Sequence, residues 1–70
     1  MPKLFSSAHI IKVVQSKGFI YISQRGSHVK FRKLNIKPVL TVIVPANKKE
    51  VPFGTFRSIL RQSKLIEKDF

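Results

Sequence analysis

Three short apolar runs in the middle of the chain restrict the fold more than any other feature. Residues 19–24, 28–32 and 39–44 are rich in β-branched and aromatic side chains, and each is too short for a buried helix. Arg25-Gly26-Ser27 is a tight reversal between the first two runs, and Pro45 closes the third. One helical pattern lies on each side. Before the strands, Ile10, Ile11 and Val14 recur at helical spacing behind Ser6 or Ser7 as N-cap, with Lys17-Gly18 as a basic last turn and C′ glycine. After them, Gly54-Thr55 predicts a helix capped by Thr55, with Phe56, Ile59 and Leu60 as its stripe. Residues 46–52 form a basic loop. Leu65, Ile66 and Phe70 are expected to cap the core.

The order is therefore α-β-β-β-α, and the class α+β: a three-stranded antiparallel sheet with two helices on one face and the other face wet. Seventy residues make one domain, 1–70. A chain this short has a small core, and without cysteine it has no disulfide to reinforce it. The lack of cysteine suits a reducing cytoplasm. No apolar run is long enough for a membrane span, and Met1-Pro2-Lys3-Leu4-Phe5 does not read as a signal peptide.

Fourteen Lys and Arg face three acids, giving a formal net charge of +11. Residues 1–49 carry ten cations and no carboxylate. Such a surface repels itself unless an anion lies on it, so a polyanionic or acidic partner is expected. The scarcity of acids also excludes chemistry. Glycosidases need two carboxyl groups about the scissile bond, and magnesium nucleases need several oxygen ligands. Glu50, Glu67 and Asp69 supply neither. No metal and no cofactor are expected, and an enzyme built from this chain works with histidine, lysine, arginine and hydroxyls.

Strand alternation then identifies a site. With Val29 and Phe31 turned into the core, His28, Lys30 and Arg32 share the open face. Metal-free RNA cleavage needs a base for the 2′-hydroxyl and positive charge for the phosphate, and imidazole titrates near neutral pH. Alternation alone does not separate a catalytic His28 from a solvated strand histidine. Arg25 joins the cations beside it. Ser27 serves either a phosphate or the turn. Lys48, Lys49, Arg57 and Arg61 are further cationic points, equally suited to RNA contact and to solvent. Tyr21 offers a stacking surface, but its companion Phe19 assigns it to the core. His9 reads as a surface residue of the first helix.

The series Gly18-Phe19, Gln24-Arg25-Gly26-Ser27-His28, Phe31-Arg32, Thr41-Val42 and Pro45, followed by Gly54-Thr55, Arg57-Ser58-Ile59-Leu60 and the closing residues 65–70, resembles the HicA family of mRNA interferase toxins. The likeness covers nearly everything from Ser6 onward. It implies a fold like that of the double-stranded-RNA-binding domain. It implies an endoribonuclease that binds and cleaves mRNA, with the glycine-serine-histidine imidazole, here His28, as the catalytic group. Arg25, Ser27, Lys30, Arg32, Lys48 and Lys49 are then the RNA-binding residues. It also implies an acidic HicB-type antitoxin that covers the site. The family often carries a second histidine shortly after the proline ending the third strand; here Pro45 is followed by Ala46-Asn47. Phe56 stands where the family pattern leads one to expect leucine, a change the core accepts. The alternatives are a non-catalytic RNA-binding module of the same fold and a structural protein of an RNA assembly. Against the first, the second helix lacks an opening lysine cluster; against the second, the chain lacks long basic tails.

Overall fold

A computed structural model describes residues 3–70; Met1 and Pro2, which open the stretch that does not read as a signal peptide, lie outside the described residues. The elements are α1 (Ser7–Ser16), β1 (Ile20–Arg25), β2 (His28–Lys33), β3 (Leu40–Pro45), α2 (Phe53–Ser63) and a closing 3₁₀ turn (Glu67–Asp69). The strands form one antiparallel sheet in the order β1-β2-β3. This is the expected α-β-β-β-α arrangement. Among the described residues no helix is long and apolar enough to cross a membrane.

Both helices donate to a single cluster on one face of the sheet. Ile10 and Val14 come from α1, and Phe56 and Ile59 from α2. The sheet and its approaches supply Phe19, Val29, Phe31, Val42 and Val44, and Val51 adds the underside of the loop before α2. In β2 the burial alternates as the sequence predicts, with Val29 and Phe31 inside and His28 exposed.

α1 starts where the Ser6 hydroxyl accepts the His9 amide (3.1 Å), leaving Ser7 as the first helical residue. The buried Ser7 ties two distant segments together. Its amide donates to Lys48 O (2.9 Å), and its hydroxyl accepts from Lys48 N (3.0 Å). Val51 N donates to Phe5 O (2.8 Å), so residues 46–52, bare loop by composition, are pinned along the entry to α1. At the other edge, Ile43 N donates to Gln62 Oε1 (3.0 Å). An α2 side chain thus satisfies an edge-strand amide that has no neighbouring strand.

Four expectations are corrected. Thr55 does not cap α2: the helix begins at Phe53 behind Pro52, with no side-chain cap, and Phe56 N donates to Pro52 O (2.9 Å). Packing sets this start, because Phe53 reaches the core beside Phe56 (ring centroids 6.4 Å) and draws the first turn back past Gly54. Ile66 does not cap the core but is exposed, whereas Leu65 and Phe70 pack on it. His9 is not a free surface residue. It is half-buried, stacked on Phe5 (4.9 Å, 17°), and its Nε2 donates to Phe70 O (2.6 Å). With Lys17–Asp69 (3.6 Å), this contact fastens the C-terminal segment across α1. Tyr21, assigned to the core, lies on the core face yet is 54% exposed.

Candidate functional site

The site is built on a two-residue hairpin. Arg25 pairs with His28 across Gly26-Ser27, and Gly26 has φ +58, a conformation glycine adopts without steric cost. Its chain neighbours aside, nothing lies within 4 Å of where a Gly26 Cβ would be, so the backbone and not crowding selects glycine. Gln24 Nε2 donates to Gly26 O (3.0 Å), and Ala46 N donates to Ser27 O (2.7 Å). The turn is therefore held from β1 and from the end of β3.

Register then sets which side chains share the open face. Pairing shifts between Tyr21 and Ser23, leaving Ile22 as an extra residue. In a regular strand, Tyr21 and Arg25, four apart, would share a face. The bulge separates them: Tyr21 opposes the buried Phe31, while Ser23 opposes Lys30 and Arg25 opposes His28. Across the other side of β2, His28 opposes Pro45, Lys30 opposes Ile43 and Arg32 opposes Thr41.

The result is a cleft of about 470 Å³ lined by Ser23, Gln24, Arg25, His28, Lys30 and Ile43. It holds one imidazole, one guanidinium and one ammonium, and no carboxylate. That combination can take a proton from a hydroxyl while holding a phosphate, and no anionic side chain in the lining competes for the cations. Arg32 lies further along the same face, its Nε donating to Thr41 Oγ1 (3.2 Å). Of the residues singled out from sequence, Arg25, His28 and Lys30 thus come together, with Arg32 beyond them. Ser27 sits in the turn, where its carbonyl serves structure; its hydroxyl does not line the cleft.

Lys48 and Lys49 do not join this group. They line a second cleft, of about 630 Å³, on the helix side of the sheet between α1 and β1. Asn47 lines it too, in a left-handed conformation (φ 59) that asparagine tolerates better than most residues. Arg57 and Arg61 are exposed on α2, where Arg61 Nη2 donates to Ser58 Oγ (3.3 Å). Sequence reasoning missed Ser23, Gln24 and Ile43 as lining residues of the His28 cleft. Alternation in β3 would have found Ile43 once the β2 register was known, and alternation back from Arg25, paired with His28 across the hairpin, would have found Ser23. Among the described residues, no group of three or more His, Cys, Asp or Glu side chains is placed to hold a metal ion.

A search of the curated proteins finds no match. The family model described as the HicA toxin of bacterial toxin-antitoxin matches residues 7–65, from the first residue of α1 to two residues beyond α2. With every element of the domain but the closing turn inside that match, the chain belongs to the HicA toxin family.

Proposed function

We propose that this toxin is an endoribonuclease that cleaves mRNA by a metal-independent transfer at phosphorus, with His28 as general base. The observation that carries the reading is the open-face cleft in which His28 stands between Arg25 and Lys30. His28 takes the proton from a 2′-hydroxyl, and the freed oxygen attacks the adjacent phosphorus. The bond from phosphorus to the 5′-oxygen breaks, leaving a 2′,3′-cyclic phosphate on one fragment and, after proton uptake, a 5′-hydroxyl on the other. Arg25 and Lys30 balance the charge that gathers on the phosphate oxygens, and Arg32 holds the strand further along the face. Lys48, Lys49 and Ser27 contribute to RNA binding away from the reacting phosphate. The scarcity of carboxylates supports the metal-free part of the reading.

The partner is an acidic HicB-type antitoxin that lies over the same face and excludes RNA. Because His28 is exposed and hydrogen-bonds to no other side chain among the described residues, its removal should disturb the fold little. His28→Ala is expected to abolish growth inhibition and to lower cleavage in vitro by about 10²- to 10⁴-fold. The variant should still pull down the co-expressed antitoxin, because Arg25, Lys30 and Arg32 remain. A His28→Ala chain that stays toxic and still cleaves RNA would remove the catalytic assignment.

A further inference from the structure

We propose that the cleft between α1 and the β1 edge receives one unstacked base of the RNA strand that passes His28, with Tyr21 as its stacking surface and Lys48 and Lys49 on its phosphate. The identity of the strand rests on the ribonuclease reading above; the cleft itself stands on separate observations. Tyr21 lies on the core face, where its neighbours Phe19 and Phe31 are 2% and 1% exposed, yet it is itself 54% exposed. Neither helix covers it. Its ring stands nearly perpendicular to that of Phe31 (centroids 6.2 Å, 81°), so the two are not stacked face to face, and Tyr21 lines the cleft.

The volume of about 630 Å³ falls within the usual range of small-ligand sites. Ile11, Val29 and Phe31 give an apolar floor, and the amides of Gln15 and Gln24 stand among polar groups able to meet a base edge. Lys48 and Lys49 bring two cations, and no carboxylate lines the cleft. An aromatic plane, an apolar floor and paired ammonium groups are the elements that hold single-stranded nucleic acid by stacking and charge. Gln24 lines both this cleft and that of His28. Since β1 is the sheet edge, a strand passing between the two crosses only one β-strand, a spacing of about 4.8 Å plus side chains.

The chain carries its own reporter, because Tyr21 is the single tyrosine and there is no tryptophan. The probe is a 2′-O-methyl RNA oligonucleotide of mixed sequence, which lacks the reactive hydroxyl and is not consumed by the wild-type toxin. Saturating it is expected to quench the tyrosine emission, and Tyr21→Ala to weaken binding about tenfold. Tyr21→Phe should bind as wild type, and circular dichroism should show each variant folded. Lys48→Ala and Lys49→Ala should each make the salt slope of log K shallower by about 0.7.

Unquenched emission at saturation, or wild-type affinity in Tyr21→Ala, would overturn the proposal. So would a Tyr21→Ala defect confined to antitoxin capture, which would assign the cleft to a protein side chain instead. Cleavage surviving in His28→Ala would fell the ribonuclease mechanism alone, since binding of the inert oligonucleotide is read independently of catalysis.

Discussion

Gln62 should respond oppositely to two substitutions of similar size. Its Oε1 accepts the Ile43 amide at 3.0 Å, and Ile43 belongs to β3, an edge strand with no partner on that side. Gln62→Leu keeps much of the packing volume and removes the acceptor. The loss is about 0.5–1.5 kcal/mol if water reaches the freed amide, and up to about 3 kcal/mol if it stays dry. A 70-residue domain has a total stability of roughly 4–10 kcal/mol, so even the smaller loss is a visible fraction. Each kcal/mol moves Tm by roughly 4–8 °C at this size. Gln62→Glu keeps the acceptor, makes the hydrogen bond charge-assisted, and adds an anion to a chain of net charge +11. Its Tm should hold or rise. Thermal and urea unfolding followed by far-ultraviolet circular dichroism would measure both. If Gln62→Leu melts with the wild type, the amide contributes nothing; if Gln62→Glu falls as far as Gln62→Leu, the acceptor is not what the position supplies.

Two further outcomes follow from the cleft chemistry. Substituting Lys30 and Arg32 by alanine should flatten the salt dependence of single-stranded RNA binding by about 0.7 in log–log slope for each phosphate that these side chains hold; an unchanged slope would move the strand to Lys48, Lys49, Arg57 and Arg61. Cleavage should survive EDTA and fail on 2′-deoxy substrates, and activity recovered only with added magnesium would contradict a metal-free transfer.

What the sequence makes legible is local. Alternation across five residues of β2 suffices to put His28, Lys30 and Arg32 on one face, because β geometry turns successive side chains to opposite sides whatever the partner strand does. The helical stripes of Ile10 with Val14 and of Phe56 with Ile59 are read the same way. What stays hidden depends on partners distant in sequence. The Ile22 bulge is defined only against β2, and it turns Tyr21 to the helix side although Arg25, four residues on, faces the His28 cleft. His9 meets Phe70 across almost the full length of the chain, so its half-burial has no local signal. Lys48 and Lys49 read as further cationic points with no face assigned, and pairing of their loop with Phe5 and Ser7 carries them to the helix side of the sheet. Thr55 is a good N-cap by residue type, and the packing of Phe53 outweighs it.

The distribution of charge connects the fold to its regulation. The three strands contain no carboxylate. Asp69 is engaged by Lys17 at the end of α1, Glu67 belongs to the same closing turn, and Glu50 lies in the loop before α2. Among the described residues no ion pair engages Arg25, Lys30 or Arg32 and no carboxylate lines the cleft, so these cations are left to whatever acid or phosphate arrives from outside. RNA and an acidic antitoxin would then compete for the same three cations. On the proposed reading, inhibition by occupancy would need no rearrangement of the toxin, because the groups proposed to hold the substrate would also hold the inhibitor. The same attraction speeds association, and it weakens as salt screens it. An antitoxin that binds only the folded toxin also stabilises it by mass action, which matters most for a chain with a small core and a self-repelling surface. Charge that makes the free toxin marginal is, on this reading, what makes its complex fast to form.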